Sequence, residues 1–189
     1  KYLEQAITKD IPALICNKIY KKVPINQFVV KNIKKEKEKL LRDIKPNKPI
    51  KTIAITGTNG KTSVLWYVSE ISKFNKIDTK SYGTLGYYVN TKKRNKSLLT
   101  TPNLDVLFQK AFSKKKNNYN FIFEASSHAL DQKRIKNFPI NIAAITNITR
   151  DHLDYHKNFK NYLNAKLYLF ENLIKQKGSV ITDKLIPEF

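Results

Sequence analysis

The chain contains no methionine and has one cysteine, one tryptophan and five glycines among its 189 residues. Acid is also scarce, with 15 aspartates and glutamates against 36 lysines and arginines. Each shortage excludes something. A lone Cys16 rules out an internal disulfide framework and any thiolate metal cluster, and its neighbours Ile11, Ala13, Leu14 and Ile15 suit a small buried thiol. No apolar run approaches the ~20 residues that span a bilayer, and no signal-peptide pattern is visible. A cytoplasmic protein is expected. Without methionine the sequence does not open at an ordinary start codon, and it reads as part of something longer.

The formal net charge of +21 raises nucleic acid or an anionic membrane as partners, because clustered cations release counterions from phosphates. Thirty-two of the 36 basic residues are lysine, however, and asparagine and isoleucine are abundant too, as an AT-rich coding bias would produce. The lysines are dispersed. Their densest groups are Lys31 to Lys39, interrupted by Glu36 and Glu38, and Lys114 to Lys116 at the end of a predicted helix. Mixed charge on a helix face is ordinarily a solvated surface. No nucleic-acid partner, no membrane partner and a monomeric state are expected.

Residues 1–47 read as a short helix, an extended stretch around Gln27 to Val30 and a charged helix ending near Ile44, too little to bury a core alone. Lys45-Pro46-Asn47-Lys48-Pro49 reads as a linker, since two prolines disfavour helix and remove backbone donors. The rhythm then becomes strand, loop, helix. Strands are expected at Lys51 to Thr56, Tyr119 to Ala125 and Ile142 to Ile148, with another beginning at Gly178, and one extended region at Thr79 to Val89. Helices are expected at Lys61 to Phe74, Asn103 to about Lys115 and Asn158 to Ile174. Apolar strands alternating with helices predict an α/β fold, a mostly parallel sheet flanked by helices.

On the last helix Phe159, Leu163, Phe170 and Leu173 recur every three or four residues, and Lys166 sits in the middle of that apolar stripe. Its ammonium either snorkels outward on a packed stem or has a task in the interior. Upstream, Gly57-Thr58-Asn59-Gly60-Lys61-Thr62 falls between a strand and a helix. Glycines there let backbone N–H groups turn inward, the helix N-terminus adds partial positive charge, Lys61 can reach β and γ phosphates, and Thr62 can hold Mg²⁺. The G-x-x-x-x-G-K-[ST] pattern wants glycine where this chain has Ile55. The bland alternative is a glycine turn capping a helix. Ligands collect at the carboxyl ends of strands in an open parallel sheet, so Glu124 and His152 are expected on the same edge as the loop. Taken singly, Glu124 could be a helix cap and His152 an ordinary loop histidine.

Thr56-Gly57-Thr58-Asn59-Gly60-Lys61-Thr62, Thr100-Thr101-Pro102, Glu124-Ala125-Ser126-Ser127-His128-Ala129-Leu130, the run Thr146 to His156 containing Arg150-Asp151-His152-Leu153-Asp154, and Ala165-Lys166 occur in this order. Together they resemble the Mur ligase family, within it the members that add the third residue of the peptidoglycan stem peptide. That family uses a shorter Gly-Thr-x-Gly-Lys-Thr loop, which accounts for Ile55. The resemblance implies the N-terminal part of a central P-loop ATPase domain over 48–189, preceded in 1–47 by the C-terminal part of an N-terminal UDP-substrate domain. A C-terminal amino-acid-binding domain would be absent, and the fragment alone would be inactive as a ligase.

The resemblance further implies ATP and Mg²⁺ as cofactors and a carbamate on Lys166, a reaction that suits a partly buried amine held neutral. Lys61, Lys166 and His152 would be catalytic. Gly57, Thr58, Asn59, Gly60, Lys61, Thr62 and Ser63 would bind the nucleotide. Thr62 and Glu124 would hold one Mg²⁺ and His152 a second, with the Lys166 carbamate associated with metal. Thr100, Thr101, Ser126, Gln132 and Arg134 would bind UDP-MurNAc-L-Ala-D-Glu, while His128 and Asp151 either take part or orient a neighbour. The implied reaction passes through an acyl phosphate to an amide with meso-diaminopimelate or L-lysine, the former favoured. Alternatives are another Mur-family ligase, folylpolyglutamate synthetase, or a nucleotide-binding regulatory or nucleic-acid-associated domain that uses the loop as a switch.

Overall fold

The structure, a computed structural model, describes residues 2–9, 11–44, 47–113, 118–183 and 186. The lysine cluster at 114–116, the end of the helix expected to run to 115 and the first two linker residues, 45 and 46, lie outside the described residues. The chain forms two compact units, Lys1–Ile44 and Lys45–Phe189. No described helix is long and apolar enough to cross a membrane.

The first unit holds helix α1 (Tyr2–Thr8), strands β1 (Ala13–Cys16) and β2 (Asn26–Val29), and helix α2 (Ile33–Ile44). The two strands pair in parallel, with Cys16 opposite Val29. Cys16 is buried, as its apolar neighbours suggest. Gln27 ties the intervening loop, its amide accepting from the Tyr20 N–H at 2.8 Å and donating to the Tyr20 carbonyl at 3.0 Å.

The second unit is built on β3 (Thr52–Thr56), α3 (Lys61–Phe74), β4 (Thr79–Gly83), β5 (Gly86–Val89), β6 (Lys92–Asn95), α4 (Leu104–Ala111) and β7 (Asn120–Glu124). It continues through α5 (Ser127–Asp131), β8 (Ile140–Ile145), α6 (Leu153–His156), α7 (Phe159–Tyr168), a π-helical turn at Leu169–Leu173 and β9 (Ile174–Ile181). Among the described residues its sheet runs β6-β5-β4-β7-β3-β8-β9. β3 pairs in parallel with both β7 and β8, β4 with β7, and β9 with β8. The mostly parallel α/β sheet read from the sequence is present. The connections leave β3 for one side of the sheet and later return to its other side, which opens a crevice at the carboxyl end of β3.

The extended region expected at 79–89 is instead a hairpin. Gly83 pairs with Gly86, and a third strand, β6, pairs antiparallel with β5, so one side of the sheet is an antiparallel meander. Strand propensity marks such a stretch without marking its reversal, and the short Gly83–Gly86 turn supplies that. The strand expected at 142–148 starts and stops earlier, at 140–145, because residues 146–149 leave the sheet to bond the loop after β3. α4 ends at Ala111, where Phe112 turns extended to bury its ring. The strand expected from Gly178 begins at Ile174.

Side-chain alternation builds the two faces of the sheet. Ile55, Ile122 and Ala144 pack on one face with Leu65, Val64 and Val68 of α3. On β7, Phe121 and Phe123 project the other way into a ring cluster with Phe108, Phe112 and Phe138. Phe138 touches all four of these rings, with centroids 5.2–6.2 Å apart. Phe138→Ala should therefore lower the unfolding free energy by about 3–5 kcal/mol, the usual range for emptying a large aromatic site. Urea unfolding measures this as a lower midpoint at unchanged slope.

Candidate functional site

The loop after β3 turns at Gly57 (φ 140°) and Gly60 (φ 80°), a region that side chains with a Cβ rarely enter. A Cβ on Gly57 would also collide with the Thr146 hydroxyl. Gly60 caps α3, so the first amides of that helix, on Lys61, Thr62 and Ser63, line the cavity at the sheet edge. The loop is latched from the segment after β8. Asn147 Oδ1 accepts from the Asn59 N–H at 3.0 Å, and Thr146 Oγ1 donates to the Asn59 carbonyl at 2.6 Å. Thr58 Oγ1 accepts from the Thr149 N–H at 2.9 Å and donates to the Thr149 carbonyl at 3.1 Å.

Two amines converge on this loop. Lys61 Nζ donates to the carbonyls of Gly57 and Thr58 at 2.9 and 2.8 Å, and Lys166 Nζ donates to the same Gly57 carbonyl at 2.8 Å. Lys166 is 1% exposed, with its ammonium 4.6 Å from the centre of the Tyr162 ring. Burial, helped by the neighbouring Lys61 charge and opposed by Asp151, brings its pKa down from 10.5 to about 7. Lys61 is also pushed down by burial, against the raising influence of Glu124 and Asp151. Lys166 thus occupies the interior, yet the stripe around it differs from the expected one. The buried face of α7 and the π turn is Tyr162, Ala165, Lys166, Leu169 and Leu173, whereas Phe159, Leu163 and Phe170 are only half-buried. The buried face is offset by about one position from the apolar stripe and carries the polar tips of Tyr162 and Lys166, whose bonds to the loop apolar periodicity does not register.

Glu124 ends β7 and is 1% exposed. Its carboxylate accepts from Thr62 Oγ1 at 2.9 Å and from the Thr84 N–H and Oγ1, both at 3.0 Å. A buried carboxylate needs such donors. Gly83 makes room for it, since a Cβ there would run into the Glu124 side chain. Thr62 Oγ1 and the Glu124 carboxylate form a compact set of hard oxygen donors of the kind Mg²⁺ takes.

The remaining candidates gather beside them. Thr100 Oγ1 lies 3.1 Å from Thr84 Oγ1. Thr101, buried, donates to the Glu124 carbonyl at 2.7 Å and accepts from the Ser126 N–H at 2.8 Å, so its hydroxyl braces the backbone under the cavity. Arg134 Nη1 donates to the Thr101 carbonyl at 2.8 Å, while its Nε is buried with no protein partner among the described residues. Gln132 donates to Tyr155 Oη at 3.1 Å. Asp151 orients His152, its carboxylate accepting from the His152 N–H at 2.8 Å and lying 3.3 Å from Nε2. The His128 ring centroid is 4.8 Å from that of His152, and burial first, then the His152 and Arg134 charges, holds its pKa below the usual imidazole value.

Every expected site residue lines one cavity of about 770 Å³: the loop from Gly57 through Ser63, Thr100, Thr101, Glu124, Ser126, Gln132, Arg134, His152 and Lys166. His128 and Asp151 line it too. Sequence reasoning missed Thr84, the second anchor of Glu124, and Tyr162. For Thr84 the available signal was a hydroxyl directly after a strand ending on the site edge. For Tyr162 it was the one-turn spacing from Lys166.

The Mur ligase middle domain matches residues 55–187. The UDP-N-acetylmuramoyl-L-alanyl-D-glutamate--2,6-diaminopimelate ligase of Rickettsia bellii is 36% identical over 99% of this chain. This chain spans 40% of that relative's length. A solved structure titled UDP-N-acetylmuramoyl-L-alanyl-D-glutamate--2,6-diaminopimelate ligase superposes with TM-score 0.67 at 25% identity, over 96% of this chain and 42% of its own. The MurF ligase of Thermotoga maritima, in complex with ADP, gives TM-score 0.68 at 16% identity, over 99% of this chain and 40% of its own, a likeness of fold.

The buried Lys166 amine makes a prediction with a definite sign. Between about 7 and 10.5 the unfolded chain holds a proton on this lysine that the folded chain does not. Stability therefore rises with pH across that window, and the cost of burial is present in full below it, at about 1.4 kcal/mol per pH unit between the two values. In carbonate-free buffer Lys166→Met should raise the unfolding free energy at pH 7 by about 2–4 kcal/mol. The difference should fade as pH approaches 10.5, as read from urea unfolding across that range.

Proposed function

The chain belongs to the Mur ligase family, and from that premise we propose that the protein is an ATP-dependent amide-bond ligase joining diaminopimelate to UDP-MurNAc-L-Ala-D-Glu. The observation that carries this is the meeting of Lys61, Thr62, Glu124, His152 and Lys166 with Thr100, Ser126, Gln132 and Arg134 in one cavity at the carboxyl edge of the sheet. Residues 48–189 are read as part of the central ATPase domain and 1–47 as part of the UDP-substrate domain.

In the proposed reaction the terminal D-glutamate carboxylate takes the γ-phosphoryl group of ATP, giving an acyl phosphate and ADP, and an amine of diaminopimelate then displaces phosphate. Amides of the loop and of the α3 N-terminus receive phosphate oxygens. Lys61, which in the structure bonds two loop carbonyls, turns its ammonium to the transferring group, where fixed positive charge lowers the barrier most. Arg134 and Gln132 orient the acceptor peptide through a guanidinium and an amide suited to carboxylate and peptide groups. Thr62 and Glu124 fit one Mg²⁺ and His152 a second, and Mg²⁺, when bound, offsets the phosphate charge. Lys166 is suited to carry a carbamate, because burial leaves much of its amine neutral near pH 7 and carbon dioxide adds to the neutral form. The product is a carboxylate beside the metal positions.

The full-length protein, given ATP, Mg²⁺, UDP-MurNAc-L-Ala-D-Glu and diaminopimelate, should form ADP and the tripeptide nucleotide together, and lysine in place of diaminopimelate tests the choice of amine. Absence of both products would refute the assignment. Lys61→Ala and Lys166→Ala should each lower kcat/KM by roughly a hundred- to thousandfold. ¹³C-bicarbonate should give a carbamate resonance that Lys166→Ala removes.

A further inference from the structure

We propose that Tyr162 is a positioning residue for the phosphate loop: from one turn ahead of Lys166 on α7, its phenol locks Thr58 so that the loop is set before any phosphate arrives. This rests on the proposed role of the loop as the nucleotide site.

Tyr162 is fully buried, and a buried phenol requires a partner. Its Oη lies 2.8 Å from Thr58 Oγ1. Thr58 already donates to the Thr149 carbonyl and accepts from the Thr149 N–H, so the remaining lone pair of its oxygen accepts from Tyr162. Thr58 would be satisfied without the phenol, and a phenylalanine would fill the same volume. The added hydrogen bond is therefore a surplus constraint, and what it constrains is the loop. Lys166, four residues on, holds the neighbouring Gly57 carbonyl. Helix α7 thus grips two consecutive loop residues with two side chains of one face. The Tyr162 ring is itself held, packed against His156 with centroids 5.4 Å apart and against Phe159 at 6.4 Å. A flexible Gly57-to-Gly60 segment would have to be ordered when it bound phosphate, and a loop already ordered avoids that entropic loss.

Tyr162→Phe keeps the ring and leaves Thr58 with both Thr149 partners, so the variant should fold. Amide hydrogen exchange in residues 57–62 should accelerate by about fivefold, the factor that one net hydrogen bond implies. Peptides from β3, β7 and β8 should exchange as in the unsubstituted protein. The Kd for ATP should weaken by a similar factor. Thr58→Val, which also removes the two bonds to Thr149, should accelerate loop exchange further, and adding Tyr162→Phe to it should cost nothing more, because the phenol has then already lost its Thr58 partner. Unchanged loop exchange, acceleration spread equally through the sheet, or additive effects of the two substitutions would overturn the role. If the unsubstituted protein binds no ATP, the nucleotide reading of the loop fails, while exchange in residues 57–62 still decides whether Tyr162 sets its geometry.

Discussion

The carbonyl oxygen of Gly57 accepts hydrogen bonds from two lysines, Lys61 at 2.9 Å and Lys166 at 2.8 Å. Much of the site follows from that convergence. The carbonyl's two lone pairs allow both bonds, and Gly57, at φ 140°, lets the loop turn sharply against Thr146, where a Cβ would collide. Burial lowers the pKa of both amines, and at Lys166 the Lys61 charge adds to the lowering. Lys61 and Lys166 between them hold the carbonyls of Gly57 and Thr58. An incoming polyphosphate would offer Lys61 a stronger acceptor than a neutral carbonyl.

Around this point the sheet edge sorts charge. Glu124, on the strand beside β3, is held by donors from α3 and from the turn after β4. Asp151 approaches from the far side of β3, near enough to raise the affinity of both lysines for protons. Lys61, Lys166 and Arg134 thus share the cavity with Glu124 and Asp151. Of the many lysines, Lys61 and Lys166 are the ones among the described residues that line the cavity.

Periodicity and loop chemistry made most of the frame legible. The helix Lys61–Phe74 falls where its apolar spacing places it, and β3 and β7 follow their β-branched and aromatic runs. What misled the reading was competition from polar contacts. Residues 146–149 look like the end of a strand because Ile145 and Ile148 are β-branched, but Thr146, Asn147 and Thr149 bond the loop after β3 instead. The helix bearing Lys166 presents Tyr162 inward, with Phe159 and Leu163 only half-buried, and the phenol bonds Thr58 there. An apolar stripe predicts which face avoids water, but it does not register a tyrosine or lysine whose polar tip finds a partner inside.

The sequence by itself determined the alternation of the main strands and helices along the chain, the glycine loop between β3 and α3, and the identity of the ionisable groups, because backbone propensity, side-chain alternation and motif spacing are local properties. Only the tertiary structure decided that Glu124 rests on Thr84 across a gap left by Gly83, that Asp151 and His152 form one unit, and that Tyr162 reaches Thr58. Those contacts join residues up to 104 positions apart. Their partners are fixed by how the strands are ordered and how α7 is rotated, and no local pattern encodes either.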